Sequence, residues 1–147
     1  MLLRYLATLS EAERLSIPAI GAEHFCDNEV DANACAHLVA TGIKRASCGL
    51  LKSYQVEGED LPVAGKLTVV LDWRQWPVCI VRTTDVQIAP FDRVPEEFAY
   101  LEGEGDRTYE EWRRAHIQFF EREAERLGDT FNFDSAVVLE RFEKVFP

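Results

Sequence analysis

Two short segments carry side chains whose types and spacing could support nucleophilic or acid–base chemistry. The segment GIKRAS places an amine and a hydroxyl three residues apart, at Lys44 and Ser47. Residues at this spacing in a turn or helix can share one side, so the amine could activate the hydroxyl as a nucleophile. The segment EGEGD adds the carboxylates of Glu102 and Glu104. Either carboxylate could take up a proton or hold the lysine in place.

Both segments also have a purely structural interpretation. GIKRAS could be a solvated junction between a helix and a loop, and the glycines of EGEGD could simply end one helix before the next. A catalytic lysine must also lose its proton, and at an ordinary pKa near 10.4 only about one lysine in a few thousand is neutral at pH 7. Burial or a neighbouring cation would therefore have to lower the pKa of Lys44.

A metal site is the third possibility in this part of the chain. Four potential zinc ligands occur in the order H-x-C and C-x-H, at His24, Cys26, Cys35 and His37. Neighbours two apart on a helix point in different directions, which disfavours a closed tetrahedral site that uses both Cys35 and His37. We therefore expect neither a metal nor a cofactor.

Aromatic side chains suggest a way to hold a nucleobase. Tyr54, Trp73 and Trp76 could each stack on a base, as aromatic residues do in proteins that bind single-stranded RNA. The two tryptophans flank a predicted hairpin turn, so a structural role or a partner surface explains them equally well.

The composition limits the classes of function. The chain has 147 residues, 47% of them hydrophobic, which is enough for one core, so we predict a single domain over residues 1–147. Its 16 basic and 26 acidic residues give a net charge of -10, which disfavours nonspecific binding to nucleic acids or anionic membranes. No apolar run is long enough to cross a bilayer, and four scattered cysteines suggest reduced thiols. We expect a cytoplasmic protein.

Capping and periodicity patterns predict an α+β arrangement. A capping box at Ser10 and Glu13 indicates an N-terminal helix, and residues 30–41 form a second helical pattern that ends before Gly42. The segments KLTVVLDW and PVCIVRTTDVQIAP predict an antiparallel strand pair, whereas SCGLLKSYQVEG fits neither a helix nor a strand well.

The second half of the sequence continues this pattern. A short helix is expected near Pro95, and a long helix capped by Thr108 carries an apolar stripe that includes Trp112 and His116. His116 is therefore interpreted as a packing residue. SAVVLERFEKVF suits a closing strand, and together these elements predict one unit around a small curved sheet.

Over most of its length the chain resembles the ASCH domain family, which is related to PUA-like RNA-binding barrels. The resemblance rests on the G-x-K signature at Gly42-Ile43-Lys44 and on FAYLEGEGDRTYEEWRRAHIQFF, whose acidic turn and W-R-x-x-H helix resemble one bacterial subgroup. It implies a PUA-like β-barrel surrounded by helices, with a cleft where the signature meets the acidic turn. Members of the family are known or proposed to bind RNA, to cleave single-stranded RNA, or to hydrolyse the acyl amide of N4-acetylcytidine.

The hydrolysis of N4-acetylcytidine fits an acidic protein best. In the amidohydrolase members a lysine, a threonine three residues later and a facing glutamate act together. By resemblance, Lys44 is the base, Ser47 replaces the threonine, and Glu104 is the acid, with Glu102 as the alternative. The exchange of threonine for serine keeps the hydroxyl but removes a methyl group that restricts χ1. The substrate contacts expected from the combined analysis are Gly42, Arg45, Glu102, Tyr54 and Trp73.

Two other functions use the same cleft. A ribonuclease would use Lys44, Arg45 and Lys52 to hold phosphates, and its binding would depend strongly on salt. A non-catalytic module that reads a modified base would need no lowered lysine pKa. The expected partner is thus a nucleoside or single-stranded RNA, and the sequence leaves the acyl group, the base and the oligomeric state open.

Overall fold

A mixed five-stranded sheet lies at the centre of the structure, a computed structural model that describes all residues from Met1 to Pro147. The strands, in chain order, are β1 (Ile20–Glu23), β2 (Ala46–Leu50), β3 (Leu67–Leu71), β4 (Pro77–Pro90) and β5 (Ala136–Phe146). Their spatial order is β1-β3-β4-β5-β2. Strands β1 and β3 are parallel, and the other three neighbouring pairs are antiparallel.

The two longest strands, β4 and β5, hold the sheet together and bend it. Strand β4 is rich in valine and isoleucine, and strand β5 in valine and phenylalanine; these residue types suit a pleated and partly buried surface. Their pairing shifts register between Ile80 and Val81 and again between Thr83 and Asp85. Such irregularities increase the local twist of a strand. The sheet is strongly curved, since its two edge strands, β1 and β2, line one common cavity.

Six helices surround this sheet. They are α1 (Leu2–Leu6), α2 (Glu11–Leu15), α3 (Glu29–Ala40), α4 (Leu51–Glu57), α5 (Glu96–Glu102) and α6 (Tyr109–Arg126), and a 3-10 turn spans Phe91–Arg93. None of the helices combines the length and the apolar character that a membrane span requires. The α+β fold predicted from the sequence is confirmed.

Local capping explains where several helices begin. Ser10 and Glu13 form the predicted reciprocal capping box of α2, and the Thr108 hydroxyl accepts a hydrogen bond from the Glu111 N–H at the start of α6. Gly42 follows α3, as predicted, and its φ of 78° is the left-handed conformation that commonly ends a helix. The ambiguous segment SCGLLKSYQVEG, residues 47–58, contains most of β2 and all of α4, whereas strand β1 was not predicted.

The side chains between α6 and the sheet form the largest apolar cluster and fix the orientation of α6. Phe91 stacks on Trp112 with ring centroids 5.5 Å apart and meets Phe120 edge-on at 5.9 Å. All three are buried, together with Val137 and Leu139 of β5. Trp112 and Phe120 lie on the predicted apolar stripe of α6. Their burial turns the stripe, and the histidine between them, toward the interior.

Gly103 lies where two chain segments come closest. It has φ 71° directly after α5, and a Cβ built on it would lie 2.7 Å from the carbonyl oxygen of Ile43. Real Cβ atoms do not approach a backbone oxygen this closely. The residue following α5 must therefore be glycine for the acidic turn to reach the lysine segment.

We predict that Gly103→Ala destabilises the fold more than Gly58→Ala. Both glycines have positive φ, but a Cβ at Gly58 would meet nothing within 4 Å. The Gly58 variant should therefore cost only the left-handed strain of about 1–2 kcal/mol, and the Gly103 variant should add the clash with Ile43. Urea unfolding measures both free energies. Equal losses would show that Gly103 is not a point of close contact.

Candidate functional site

The ammonium group of Lys44 lies almost completely buried between two carboxylates. Lys44 is 2% exposed, and its Nζ lies 2.9 Å from Glu104 Oε2 and 3.3 Å from Glu102 Oε2. The ring of Phe25 lies 5.4 Å from the same nitrogen. Glu102 is the last residue of α5 and is 1% exposed, whereas Glu104 is only half-buried. The structure thus brings together the lysine and both glutamates of the two candidate segments.

The charges around Lys44 keep it protonated. Burial alone would lower the pKa of this ammonium group, but the neighbouring Glu104 and Glu102 outweigh burial and raise the pKa above its ordinary value. A lysine base needs the opposite shift. Lys44 is therefore a fixed cation, and the role of base expected for it from the sequence lacks the lowered pKa that a base requires.

His116 completes the cluster around Glu102. Its Nδ1 lies 2.8 Å from the Trp112 carbonyl oxygen, and its Nε2 lies 3.2 Å from Glu102 Oε2. A carbonyl oxygen and an ionised carboxylate only accept hydrogen bonds, so both ring nitrogens must donate. This geometry fits an imidazolium cation. Two cations, Lys44 and His116, therefore face the two carboxylates Glu102 and Glu104.

The pKa shifts of this pair agree with the geometry. Burial would raise the pKa of Glu102, but the charges of Lys44 and His116 lower it well below its usual range. Burial would lower the pKa of His116, but the charge and hydrogen bond of Glu102 raise it. The second oxygen of Glu102, Oε1, is buried without a hydrogen-bond partner.

The turn between α5 and α6 positions the second carboxylate, Glu104. Gly103, Gly105 and Arg107 all have positive φ, so the chain reverses tightly on both sides of Glu104. The Arg107 guanidinium stacks over the Tyr100 ring at 3.7 Å and donates two hydrogen bonds to the Tyr100 carbonyl oxygen. These contacts fix the base of the turn and direct Glu104 toward Lys44.

Two cysteines lie beside the same carboxylate. The Cys35 thiol on α3 donates to Glu104 Oε1 at 3.4 Å, and Cys26 Sγ lies 3.5 Å from Cys35 Sγ. Contact with Cys26, together with burial, raises the pKa of Cys35. Two groups have ligand atoms close enough to hold a metal ion, namely Cys26, Cys35, Glu104 and Glu102, Glu104, His116. Both carboxylates of the second group already contact the Lys44 ammonium group.

These side chains line a cavity of about 370 Å³, which we call the first cavity. Lys44, Glu102, Glu104 and His116 lie on its wall, and Ser47 of β2 lies there too. The Ser47 hydroxyl makes no hydrogen bond to Lys44. Lys44 precedes β2 and Ser47 lies within it, so the two do not share a helical face, yet both side chains reach the same cavity.

A second cavity of about 560 Å³ adjoins the first, because Ser47, Cys48 and Phe119 line both. Its acidic lining residues are Glu23, Asp27, Glu57, Glu59, Glu123 and Glu140. The one arginine on its wall, Arg126, already forms ion pairs with Glu57 and Glu123. This second cavity presents no free cation to a phosphate group.

The remaining predicted contact residues lie outside the first cavity. Tyr54 lines the second cavity. Gly42 and Arg45 line neither cavity, and the Arg45 N–H donates to the Leu101 carbonyl oxygen at 2.7 Å, which ties the lysine segment to α5. Trp73 also lies outside both cavities, and its ring packs against His24.

The site includes residues that the sequence analysis did not assign to it. His116 was interpreted as a packing residue, and its ring does stack on Trp112 with centroids 4.3 Å apart, but its Nε2 also contacts Glu102. Cys26 and Cys35 were considered only together with histidines. The W-R-x-x-H pattern placed His116 one turn after Trp112, but nothing in the sequence indicated its contact with Glu102.

Comparison with known proteins identifies relatives of the whole chain. Residues 21–146 match the ASCH domain. A crystal structure of an ASCH domain from Lactobacillus crispatus JV V101 is 40% identical, has a TM-score of 0.94, and covers 99% of this chain and 92% of its own. The crystal structure of a protein from Enterococcus faecalis V583 is 32% identical and has a TM-score of 0.81. The match covers 99% of this chain and 90% of that chain.

A more distant structure shows the same fold only. This hypothetical protein is 16% identical with a TM-score of 0.53, and the match covers 86% of this chain and 98% of that one. A search of curated proteins found no match.

We predict that His116 titrates above its ordinary pKa of 6.5, and that Glu102→Gln lowers this pKa. Because the folded-state pKa is raised, the stabilisation from His116 is complete below the unfolded-state pKa and is lost as pH rises through the folded-state value. NMR titration of the His116 imidazole signals measures this pKa in the unchanged protein and in Glu102→Gln. Glu125→Gln, an exposed change on the same helix, is the control. An unchanged His116 pKa in Glu102→Gln would contradict the assigned ion pair.

Proposed function

Since the chain belongs to the ASCH domain family, we propose that it is a small hydrolase that cleaves the acyl amide of an N4-acylated cytidine. The reaction would take place in the first cavity, in the cytoplasm, and would need no cofactor. The observation that supports this proposal best is the Lys44 cation held between Glu102 and Glu104 in a cavity that Ser47 also lines.

The electrostatics favour a particular division of roles among these groups. Lys44 is buried and positively charged, so it is suited to stabilise the negative oxygen that develops when an amide carbonyl is attacked. Glu104 reaches the cavity and can accept a proton, which makes it the better candidate for the base. Ser47 is the candidate nucleophile. Its hydroxyl would attack the amide carbonyl of a bound substrate while Glu104 accepts the hydroxyl proton.

Glu102 takes a supporting role in this proposal. It is 1% exposed and already accepts hydrogen bonds from Lys44 and His116. A carboxylate held by two buried cations is a poor proton acceptor, since protonation would leave those cations without a partner. We therefore keep Glu104, rather than Glu102, as the reacting acid.

The charge of the second cavity supports a neutral nucleoside over an RNA chain. Its wall carries six acidic residues, and its single arginine is engaged with two of them. Phosphate groups would be repelled there, whereas sugar hydroxyls could donate hydrogen bonds to the carboxylates. Ribonuclease activity is accordingly the weaker alternative.

A non-catalytic module that binds a modified base is the second candidate function. The raised pKa of Lys44 supports it, because a fixed ammonium group can donate hydrogen bonds to a carbonyl group without taking part in proton transfer. This candidate predicts binding of the acylated nucleoside without its conversion.

One assay separates these functions. Purified protein is incubated with N4-acetylcytidine and, separately, with labelled single-stranded RNA at several salt concentrations. The proposed hydrolase releases cytidine and acetate and leaves the RNA intact, and its rate changes little with salt. Shortened RNA would support a ribonuclease instead, and binding without turnover would support the non-catalytic module.

Substitutions at two positions test the proposed roles. Glu104→Gln should lower kcat by about 10²–10⁴-fold, as expected for the loss of an acid–base group, while the nucleoside Kd stays nearly constant. Ser47→Ala should abolish turnover, and Ser47→Thr should retain part of it. Ser16→Ala and Glu125→Gln, both exposed, are the matched controls. Normal turnover by Ser47→Ala would exclude a covalent intermediate on this serine.

A further inference from the structure

The paired cysteines beside Glu104 have no role in the proposed hydrolysis. Cys26 lies in the loop between β1 and α3, and Cys35 lies on α3, so the fold brings together two thiols that are nine residues apart. Cys26 has φ 66°, a left-handed conformation that is uncommon for a residue other than glycine. Such backbone conformations persist where the surrounding structure holds them, and they cluster at ligand sites.

We propose that Cys26, Cys35 and Glu104 form a binding site for Zn²⁺. The two sulfur atoms are 3.5 Å apart, and Cys35 Sγ is 3.4 Å from Glu104 Oε1. A tetrahedral zinc ion with ordinary bond lengths separates two sulfurs by about 3.8 Å and a sulfur from an oxygen by about 3.5 Å. All three ligand atoms lie within 4.8 Å of one another, so only small shifts are needed.

The type of ligand selects the metal. Thiolates are soft ligands that favour zinc over magnesium or calcium, which prefer sites made entirely of oxygen ligands. Three protein ligands leave the fourth tetrahedral position open, and because all three line the first cavity, that position faces the cavity. The histidines that the sequence suggested do not belong to the group, since His37 is exposed on α3 and the His24 ring packs against Trp73.

The surrounding charges suit a bound dication. Zinc replaces the thiol protons, so the ion with two thiolates and one carboxylate carries a single negative charge. The Lys44 ammonium, 2.9 Å from the other oxygen of Glu104, balances that charge. The Asp31 carboxylate also lines the first cavity and adds a negative charge there. The negative net charge of the protein also attracts a cation.

This site goes beyond the proposed hydrolysis and has a distinct consequence for it. The zinc ion is not a reactant in the proposed reaction, but it coordinates the carboxylate that the reaction would use as a base. Zinc binding would therefore slow hydrolysis, and a chelator would restore it. Zinc binding can be measured whether or not the protein is an enzyme, so its failure is distinct from a failure of the proposed hydrolysis.

The test is metal binding to reduced, metal-free protein. Calorimetry with Zn²⁺ should show one ion per chain, and Co²⁺ substitution should produce an absorption band from thiolate-to-cobalt charge transfer. Cys35→Ser should weaken Zn²⁺ binding by about 100-fold or more, since even the loss of a residue that supports a metal ligand costs 10–100-fold. Glu104→Gln should weaken binding but keep the thiolate band.

The controls make the test decisive. His37→Ala should leave the affinity unchanged, because this exposed histidine lies outside the group. Cys26→Ser changes a residue that is only half-buried, so it serves if Cys35→Ser fails to fold. The proposal is overturned if the reduced protein shows no thiolate-to-cobalt band, or if Cys26→Ser binds Zn²⁺ as tightly as the unchanged protein.

Discussion

A lysine ammonium group that is almost completely withdrawn from water is the constraint on which the rest of the structure depends. Moving a cation out of water costs several kcal/mol, and the cost is recovered only if anions meet it at hydrogen-bonding distance. The carboxylate oxygens of Glu102 and Glu104 lie 3.3 and 2.9 Å from Lys44 Nζ. Because these anions come from a segment nearly sixty residues away, the fold must hold two distant loops in contact.

Further contacts hold the segments that carry this cation and its partner carboxylates. The Arg45 N–H donates a hydrogen bond to the Leu101 carbonyl oxygen, and Gly103 allows the turn to contact Ile43. Lys44 divides its positive charge between Glu102 and Glu104, and His116 supplies a second positive charge to Glu102. The aromatic packing of α6 holds His116 in place. A change in any of these contacts would alter the charge balance of the first cavity, so stability and function are coupled there.

Much of the fold could be predicted from local patterns. The capping residues Ser10 and Thr108 fixed the starts of two helices, and β-branched residues marked β3 and β4. Strand β1 was missed because IGAE is only four residues long and contains a glycine. The register shifts that curve the sheet also leave no local signal, since they arise from the pairing of β4 with β5.

The candidate site was only partly predictable, because its contacts also join residues that are far apart in the sequence. The resemblance to a family placed Lys44, Ser47 and Glu104 together, but it could not supply the pKa of the lysine, which depends on burial and on both neighbouring carboxylates. The contacts of Cys35 with Cys26 and Glu104 span nine and 69 residues. Periodicity describes which face a side chain occupies, and it carries no information about which distant group lies opposite.

The protonation state of Lys44 is the most direct test of whether this buried group is a fixed cation. NMR titration of the side-chain 13Cε and 15Nζ signals of Lys44 follows the ammonium group itself, with no assumption about substrate. We predict that Lys44 stays protonated throughout neutral pH and loses its proton only above the ordinary lysine pKa of 10.5. A midpoint near pH 7 would contradict the assignment of Lys44 as a fixed cation and would restore it as the base.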